Sequence, residues 1–257
     1  MTPFKNRMRL LARASVVASV GSLSRVGPGA HILAGHNMAG GSREVFERQL
    51  DGLSSFADLV DIRDAVEMIQ SKRTLHRPTV SFTFDDGFAD WASIIAPALE
   101  ARGVGAAFFL SPGLVDLGNS PWEEFNRKLN LVDQKPITSG QVRRLAESGH
   151  VVGSHTVNHT KLVGLSDDDI DREVRLSKRM VAELTGQPCD WFAWTYGGFD
   201  HIDSRAINVA LEEYEVVFSS AGYPNYSTLH PRVLNRRHVE PYWRPQDARF
   251  FMRRARK

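Results

Sequence analysis

Short apolar segments alternate with segments of helical periodicity along most of the chain, and this alternation limits the folds open to it. Residues 79–84 and 106–110 are rich in β-branched, aromatic or purely apolar side chains, as buried strands are. Residues 90–102, between them, follow a helical pattern that stops at Gly103. Further along the chain, similar patterns predict helices from Ser166 to about Leu184 and at Ser204–Glu213, and a strand at Val233–Val239. The repetition predicts an α/β protein with parallel strands, and about seven such units predict a distorted (β/α) barrel rather than an open sheet.

The chain of 257 residues suits one barrel domain, which we assign to residues 29–257. Residues 1–28 read as a basic, partly apolar N-terminal extension. Its spacing predicts an amphipathic helix capable of peripheral membrane contact, although a helix packed on the domain or a frayed extension fits equally well. Arg13 interrupts the apolar run, so the bacterial cytoplasm or the membrane periphery is favoured over secretion, and the compartment stays open.

The overall charge is nearly balanced, at +2 from 32 basic and 30 acidic residues, and much of the excess lies at the two ends. We therefore expect no nucleic-acid partner. The single Cys189 excludes an internal disulfide and does not decide the redox compartment. Residues 111–137 show neither strand nor helix periodicity, which predicts an irregular insertion over the barrel mouth.

Asp85 and Asp86 stand together at the end of an apolar strand, directly before Gly87. Side chains alternate along a strand, so the two acids diverge if both stay extended, whereas a turn at the glycine lets both reach one site. One carboxylate could then bind a metal while the other accepts a proton. The alternative is a polar turn without a function.

His155 and His159 follow another predicted strand, at residues 151–153. Histidines four residues apart lie on one face of a helical turn, close enough to share a cation, although surface or helix-capping histidines have the same spacing. With Asp86 they make a set of two histidines and one carboxylate that leaves coordination positions open. Such a set binds Zn²⁺, Co²⁺, Fe²⁺ or Ni²⁺ and can activate water.

Three motifs together resemble the polysaccharide deacetylases of carbohydrate esterase family four, whose core is the NodB homology domain. They are residues 83–87 (TFDDG), 155–159 (HTVNH) and 192–197 (FAWTYG). The resemblance implies a distorted (β/α) barrel in which residues 29–257 are the catalytic domain. It also implies metal-dependent hydrolysis of acetyl groups, mainly N-acetyl groups, on a bacterial polysaccharide or its oligosaccharide precursor.

The resemblance also implies a role for each matching residue. Asp86, His155 and His159 would bind one divalent metal ion, with zinc favoured and cobalt or nickel as alternatives. Asp85 would be the general base, and the backbone N–H of Tyr196 would stabilise the oxyanion. The rings of Trp194 and Tyr196 could stack on sugars, or they could be aromatic residues of the barrel core.

Two departures from the family pattern concern Asp85 and the general acid. Many members carry an arginine in the third motif that orients the base, but this chain has no arginine there. Arg236 and Arg237 are candidates to contact Asp85 or an acidic glycan. Residues 32–37 (ILAGHN) resemble the first-strand motif of bacterial exopolysaccharide and poly-N-acetylglucosamine deacetylases. That likeness favours His36 as the acid over His238.

Three other functions remain open at this point. The chain could hydrolyse a small non-sugar amide, because related metal-dependent enzymes do so. It could be a glycan-binding module with a degenerate site, although a binder has no need of a metal set beside a free base. A purely structural metal is a third reading, but structural zinc normally has four protein ligands, and only three candidates are evident.

Overall fold

The computed structural model describes residues 25–116, 119–128, 131 and 134–253. The amphipathic helix predicted within residues 1–28 lies almost wholly outside this part. Within it, one sheet of nine strands runs through the molecule. The strands are β1 (Gly29–Gly35), β2 (Asp58–Leu59), β3 (Pro78–Asp86), β4 (Ala107–Leu110), β5 (Val151–Ser154), β6 (Trp191–Ala193), β7 (Val216–Ser219), β8 (Val233–Asn235) and β9 (Arg237–His238).

The sheet curls into a nearly closed barrel. Its strand order is β8-β7-β6-β5-β4-β3-β1-β9, with all of these pairs parallel, and β2 pairs separately with β3. β8 and β9 lie at opposite ends of this order, yet only Arg236 separates them in the chain. The two edges must therefore meet at Arg236, which confirms the predicted distorted barrel. The single strand expected over residues 233–239 is two strands, one on each side of this seam.

Helices pack on the outside of the barrel and connect its strands. They are α1 (Arg43–Ser54), α2 (Ile62–Gln70), α3 (Ala96–Glu100), α4 (Asn119–Lys128), α5 (Ser139–Glu147), α6 (Asp167–Asp171), α7 (Ser177–Thr185), α8 (Ser204–Glu213) and α9 (Pro245–Met252). A π-helical turn precedes α3, and another joins α6 to α7, so the helix predicted from residue 166 to about 184 is continuous but not regular. No helix of the described part is long and apolar enough to cross a membrane.

The predicted irregular insertion at residues 111–137 contains α4, and this expectation was incomplete. Trp122 and Phe125 lie three residues apart on α4, both are buried, and the Trp122 ring packs against Phe88. A pair of aromatic residues at this spacing is a helical signal, but one pair does not stand out among the polar residues around it.

Side chains on the two faces of the strands form two apolar clusters. One cluster, with Phe82 and Phe108, lies between the sheet and the helices. The other includes Ile32, Phe109 and Phe218 and fills the face that points into the barrel. Because the barrel strands are parallel, their carboxyl ends meet at one rim, and the residues that follow them gather there.

Candidate metal centre and catalytic site

A cavity of about 670 Å³ opens at the carboxyl ends of the strands, where barrels of this kind carry their active sites. The predicted site residues lie at the ends of the strands around this cavity. β3 ends with the two acids, and β1, β5 and β6 each end one to three residues before a predicted site residue. The cavity lining brings together His36, Asp85, Asp86, His155, His159 and Tyr196.

Asp86, His155 and His159 converge on one point of the cavity wall, and all three are buried. The Oδ1 atom of Asp86 lies 3.4 Å from Nε2 of His155 and 3.1 Å from Nε2 of His159. Nδ1 of His155 lies 2.7 Å from the carbonyl oxygen of Ala193. A carbonyl only accepts, so Nδ1 carries a proton and Nε2 is the nitrogen left to face Asp86.

These spacings fit a tetrahedral divalent cation. Zinc bonds of about 2.0–2.1 Å to nitrogen and oxygen place neighbouring ligand atoms about 3.3 Å apart. Oδ1 of Asp86 is buried and accepts no hydrogen bond from the described residues. The residues therefore fit the predicted metal, and they leave coordination positions open to water and substrate.

The histidine pair does not lie on a helical turn, and that part of the sequence prediction was wrong. Thr156 and His159 have φ angles of 61° and 56°, in the left-handed region, so residues 155–159 form an irregular loop. The buried carboxylate of Glu173 supports this loop by accepting the N–H groups of Val157 and Asn158 at 2.8 and 3.1 Å. Because Glu173 fixes the loop, the Nε2 atoms of His155 and His159 can both face Asp86.

Asp85 is not one of these three residues, and its carboxylate is bound by Arg236. The guanidinium donates from Nη1 to Oδ1 and from Nη2 to Oδ2 of Asp85, each at 2.7 Å. Both side chains are buried, and the guanidinium also lies against the rings of Phe109 and Phe218. Burial raises the pKa of Asp85, but the charge and hydrogen bonds of Arg236, together with the charges of His155 and His36, outweigh burial and lower that pKa below its usual value.

Arg237, the other arginine considered from sequence, is also buried but has different partners. Its Nη1 donates to the carbonyl oxygen of Phe251 at 2.6 Å, and its guanidinium lies over the ring of Tyr223. Arg236 thus supplies the arginine contact to Asp85 that the third motif lacks.

His36 and His238 share one acceptor, the Oε1 atom of Glu240. Nδ1 of His36 lies 2.7 Å from it and Nε2 of His238 lies 2.6 Å from it. The other carboxylate oxygen accepts the backbone N–H of His36 at 3.0 Å. Burial lowers the pKa of His36, but the hydrogen bond and charge of Glu240 outweigh burial and raise it. His36 is thereby kept protonated, as a general acid must be.

A family model described as polysaccharide deacetylase matches residues 72–212, more than half of the chain. The chain belongs to the polysaccharide deacetylase family. It is 23% identical to YxkH of Bacillus subtilis (strain 168) over 182 residues, which are 68% of this chain and 59% of YxkH. It is 26% identical to the peptidoglycan-N-acetylglucosamine deacetylase PgdA of Listeria monocytogenes over 156 residues, 60% of this chain and 29% of PgdA.

The barrel of this polysaccharide deacetylase family member is also that of a solved structure, IcaB from Ammonifex degensii. The two align with a TM-score of 0.68 and 21% identity over 88% of this chain and 98% of IcaB. This likeness establishes the fold. The chain spans 59% of YxkH and 29% of PgdA, so these relatives contain regions that this chain does not match.

The two aromatic residues of the third motif lie in different environments, and one prediction must be corrected. Trp194 is completely buried, with its Nε1 donating to the carbonyl oxygen of Gly198 at 2.9 Å, so it cannot stack on a sugar. Tyr196 is 37% exposed and lines the cavity, 4.8 Å from the His159 ring between centroids. Its φ of 61° turns the backbone at the rim.

Glu240 and Glu173 are site residues of this family member that sequence reasoning missed. Glu240 follows His238 by two residues, a spacing that a strand would place on the same face, and this could have signalled the pair. Glu173 lies in a charged helical stretch whose acids are otherwise mostly at the surface. Its sequence context gives no sign that it is buried.

Proposed function

We propose that this polysaccharide deacetylase family member hydrolyses acetyl groups, mainly N-acetyl groups, on a bacterial polysaccharide or its oligosaccharide precursor. The reaction would use one divalent metal ion, for which zinc is favoured. The observation that carries the proposal is the pair of adjacent acids with separate partners. Asp86 faces two histidine nitrogens at metal-ligand spacing, whereas Asp85 is held by Arg236. One site thus combines a metal set with an independent base.

When bound, the ion would lower the pKa of a water ligand and polarise the acetyl carbonyl. Asp85 would act as the general base toward the attacking water, since its lowered pKa keeps it ionised at neutral pH. The backbone N–H of Tyr196 is the proposed donor to the oxyanion.

His36 is the proposed general acid, because an amine leaves readily only when it is protonated. Its Nδ1 is engaged by Glu240, so Nε2 is the nitrogen that can give its proton to the leaving group. Glu240 then acts through His36, as a positioning residue that keeps the imidazole charged and oriented.

The cavity supports a glycan over a small amide as the substrate. Its volume of about 670 Å³ is in the range that accommodates ligands the size of sugar units, and the exposed Tyr196 ring lies at its rim. The alternatives to be tested are a small-amide hydrolase and a non-catalytic glycan-binding module.

The decisive experiment measures acetate release from N-acetylglucosamine oligomers and from acetylated exopolysaccharide. The purified protein is assayed after EDTA treatment and after re-addition of Zn²⁺, Co²⁺ or Ni²⁺, with bound metal quantified in parallel. Asp85→Asn should abolish release and retain metal, whereas His155→Ala should lose both. Equal metal loss in the two variants contradicts the base assignment. Bound metal without release from any acetylated sugar favours the small-amide hydrolase or the binding module.

A further inference from the structure

A second cluster of metal-ligand residues lies in the same cavity, outside the Asp86 triad. His36, His238 and Glu240 each direct one ligand atom to a common point, and these atoms lie within 4.8 Å of one another. We infer that this cluster is a second divalent-cation site, which takes Zn²⁺ when zinc exceeds one equivalent per chain.

The donor set is the one that zinc prefers, two imidazole nitrogens and a carboxylate oxygen. Glu240 is oriented for monodentate binding, because its Oε2 is occupied by the backbone N–H of His36 and only Oε1 faces the two rings. The backbone of Glu240 is fixed in turn, since Nε2 of the buried Gln49 donates to its carbonyl oxygen at 2.8 Å. This outer support is typical of metal carboxylates.

The second cluster differs from the Asp86 triad in spacing, and the difference predicts weaker binding. Its nitrogen–oxygen distances are 2.7 and 2.6 Å, which are hydrogen-bond lengths, whereas the triad has 3.4 and 3.1 Å. An entering zinc ion must displace the shared protons and open each gap by about 0.6 Å to reach ligand spacing. His238 can move to do so, because 52% of its side chain is exposed.

The inference has a consequence for catalysis that rests on the proposed function. An imidazole that coordinates zinc through Nδ1 is neutral and keeps only the proton on Nε2. It therefore loses the acidity of an imidazolium, and a chain with zinc at both sites should release acetate more slowly than a chain with zinc at the Asp86 triad alone. Excess zinc should thus inhibit the enzyme that one equivalent activates.

The test counts zinc bound per chain by native mass spectrometry as zinc is raised above one equivalent. Wild-type protein should bind two ions, and both His238→Ala and the nearly isosteric Glu240→Gln should bind one. Asp86→Asn should lose the first ion and keep the second. His76→Ala, which removes an exposed histidine that belongs to neither set, should still bind two.

Circular dichroism establishes that each variant is folded. If His238→Ala does not fold, Glu240→Gln is used to test the second site. One ion on the wild-type protein at all zinc concentrations, or two on both second-site variants, overturns the inference. Acetate release at one equivalent is scored separately. Release with only one ion bound refutes the second site alone, and two bound ions without release on any acetylated sugar refute the proposed function alone.

Discussion

Arg236 and Asp85 form a bidentate, buried ion pair across the inside of the barrel, with both nitrogen–oxygen distances at 2.7 Å. Arg236 is the one residue between β8 and β9, at the point where the two edges of the sheet meet. Asp85 lies in β3, on the far side of β1 and β9 from that edge. The closure of the barrel thus orients the proposed base, which explains how this chain manages without the arginine of the third motif.

Removing Arg236 should expose the cost of burying Asp85. We expect Arg236→Met to lower the free energy of unfolding by about 3–5 kcal/mol, because an unpaired carboxylate remains in the interior. Adding Asp85→Asn should restore part of that loss, since the neutral amide needs no counter-charge. Denaturant unfolding of the two single variants and the double variant, under identical metal conditions, gives the coupling energy.

Arg237→Met is the matched control for this cycle. Arg237 is equally buried but contacts Phe251 and Tyr223 rather than Asp85. The change in the free energy of unfolding caused by Arg237→Met should therefore add to the change caused by Asp85→Asn, without coupling. If Arg236→Met lowers the free energy of unfolding by the same amount in the wild-type protein and in the Asp85→Asn variant, the two residues are not coupled. The ion pair then does not position the base.

The identity of the general acid can be tested by changing the leaving group. With an N-acetylated glycan, His36→Ala should lower kcat by about 10²–10⁴-fold, because the amine must be protonated as it departs. With an acetyl ester of an acidic phenol the leaving group departs as an anion, and the loss should be small. Steady-state kinetics of both variants, His36→Ala and His238→Ala, on both substrates give the comparison.

His238→Ala should lose less activity on the glycan than His36→Ala does. Both histidines share Glu240, so the comparison holds the partner constant. A larger amide-specific loss in His238→Ala would transfer the acid role to His238. Equal losses on amide and ester in His36→Ala would mean that His36 supports the site without donating a proton.

Much of the barrel could be predicted because its signals are local. Apolar strands such as residues 106–110 and the helix at Ser204–Glu213 are encoded by patterns within a few residues. α4 was missed because only Trp122 and Phe125 reveal its buried face. The split of residues 233–239 at Arg236 was missed because barrel closure is a tertiary event.

The candidate site divides in the same way. The acids and the two histidines follow predicted strands, and parallel strands bring their ends to one rim, so their convergence could be expected. The contacts of Arg236 with Asp85, of Glu240 with His36 and of Glu173 with the histidine loop could not, since each joins residues 15 to 204 positions apart in sequence. Trp194 and Tyr196 are two residues apart, and only the turn at the rim decides which ring is buried.

Tyr196 and Trp194 should therefore respond differently to substitution. Tyr196→Asn removes the exposed ring while asparagine tolerates the left-handed backbone, so we expect KM for N-acetylglucosamine oligomers to rise by about 3–10-fold with little change in stability. Trp194→Phe should lower the free energy of unfolding by about 1–2 kcal/mol and leave KM nearly unchanged. Kinetics and denaturant unfolding on the same samples measure both. A KM change confined to Trp194→Phe would contradict the assignment of Tyr196 to the sugar.

Asp90 provides a pH-dependent test of the loop that carries His36. Its Oδ2 accepts the N–H of Met38 at 2.7 Å, and burial, with the nearby charge of Glu240, raises the pKa of Asp90 to about 6. A carboxyl with a raised pKa binds its proton more tightly in the folded state. Its ionisation therefore lowers stability as the pH rises from about 4 to about 6, and the cost is complete above that range.

Asp90→Asn should consequently be more stable than the wild-type protein at about pH 8, by up to about 3 kcal/mol, and the difference should shrink towards about pH 4. Urea unfolding of EDTA-treated protein across this range measures the effect without metal loss as a variable. Asp168→Asn, at an exposed acid on α6, should show no such trend. A constant difference between Asp90→Asn and wild type at every pH would mean that Asp90 titrates alike in the folded and unfolded states, and that its burial imposes no ionisation cost on the His36 loop.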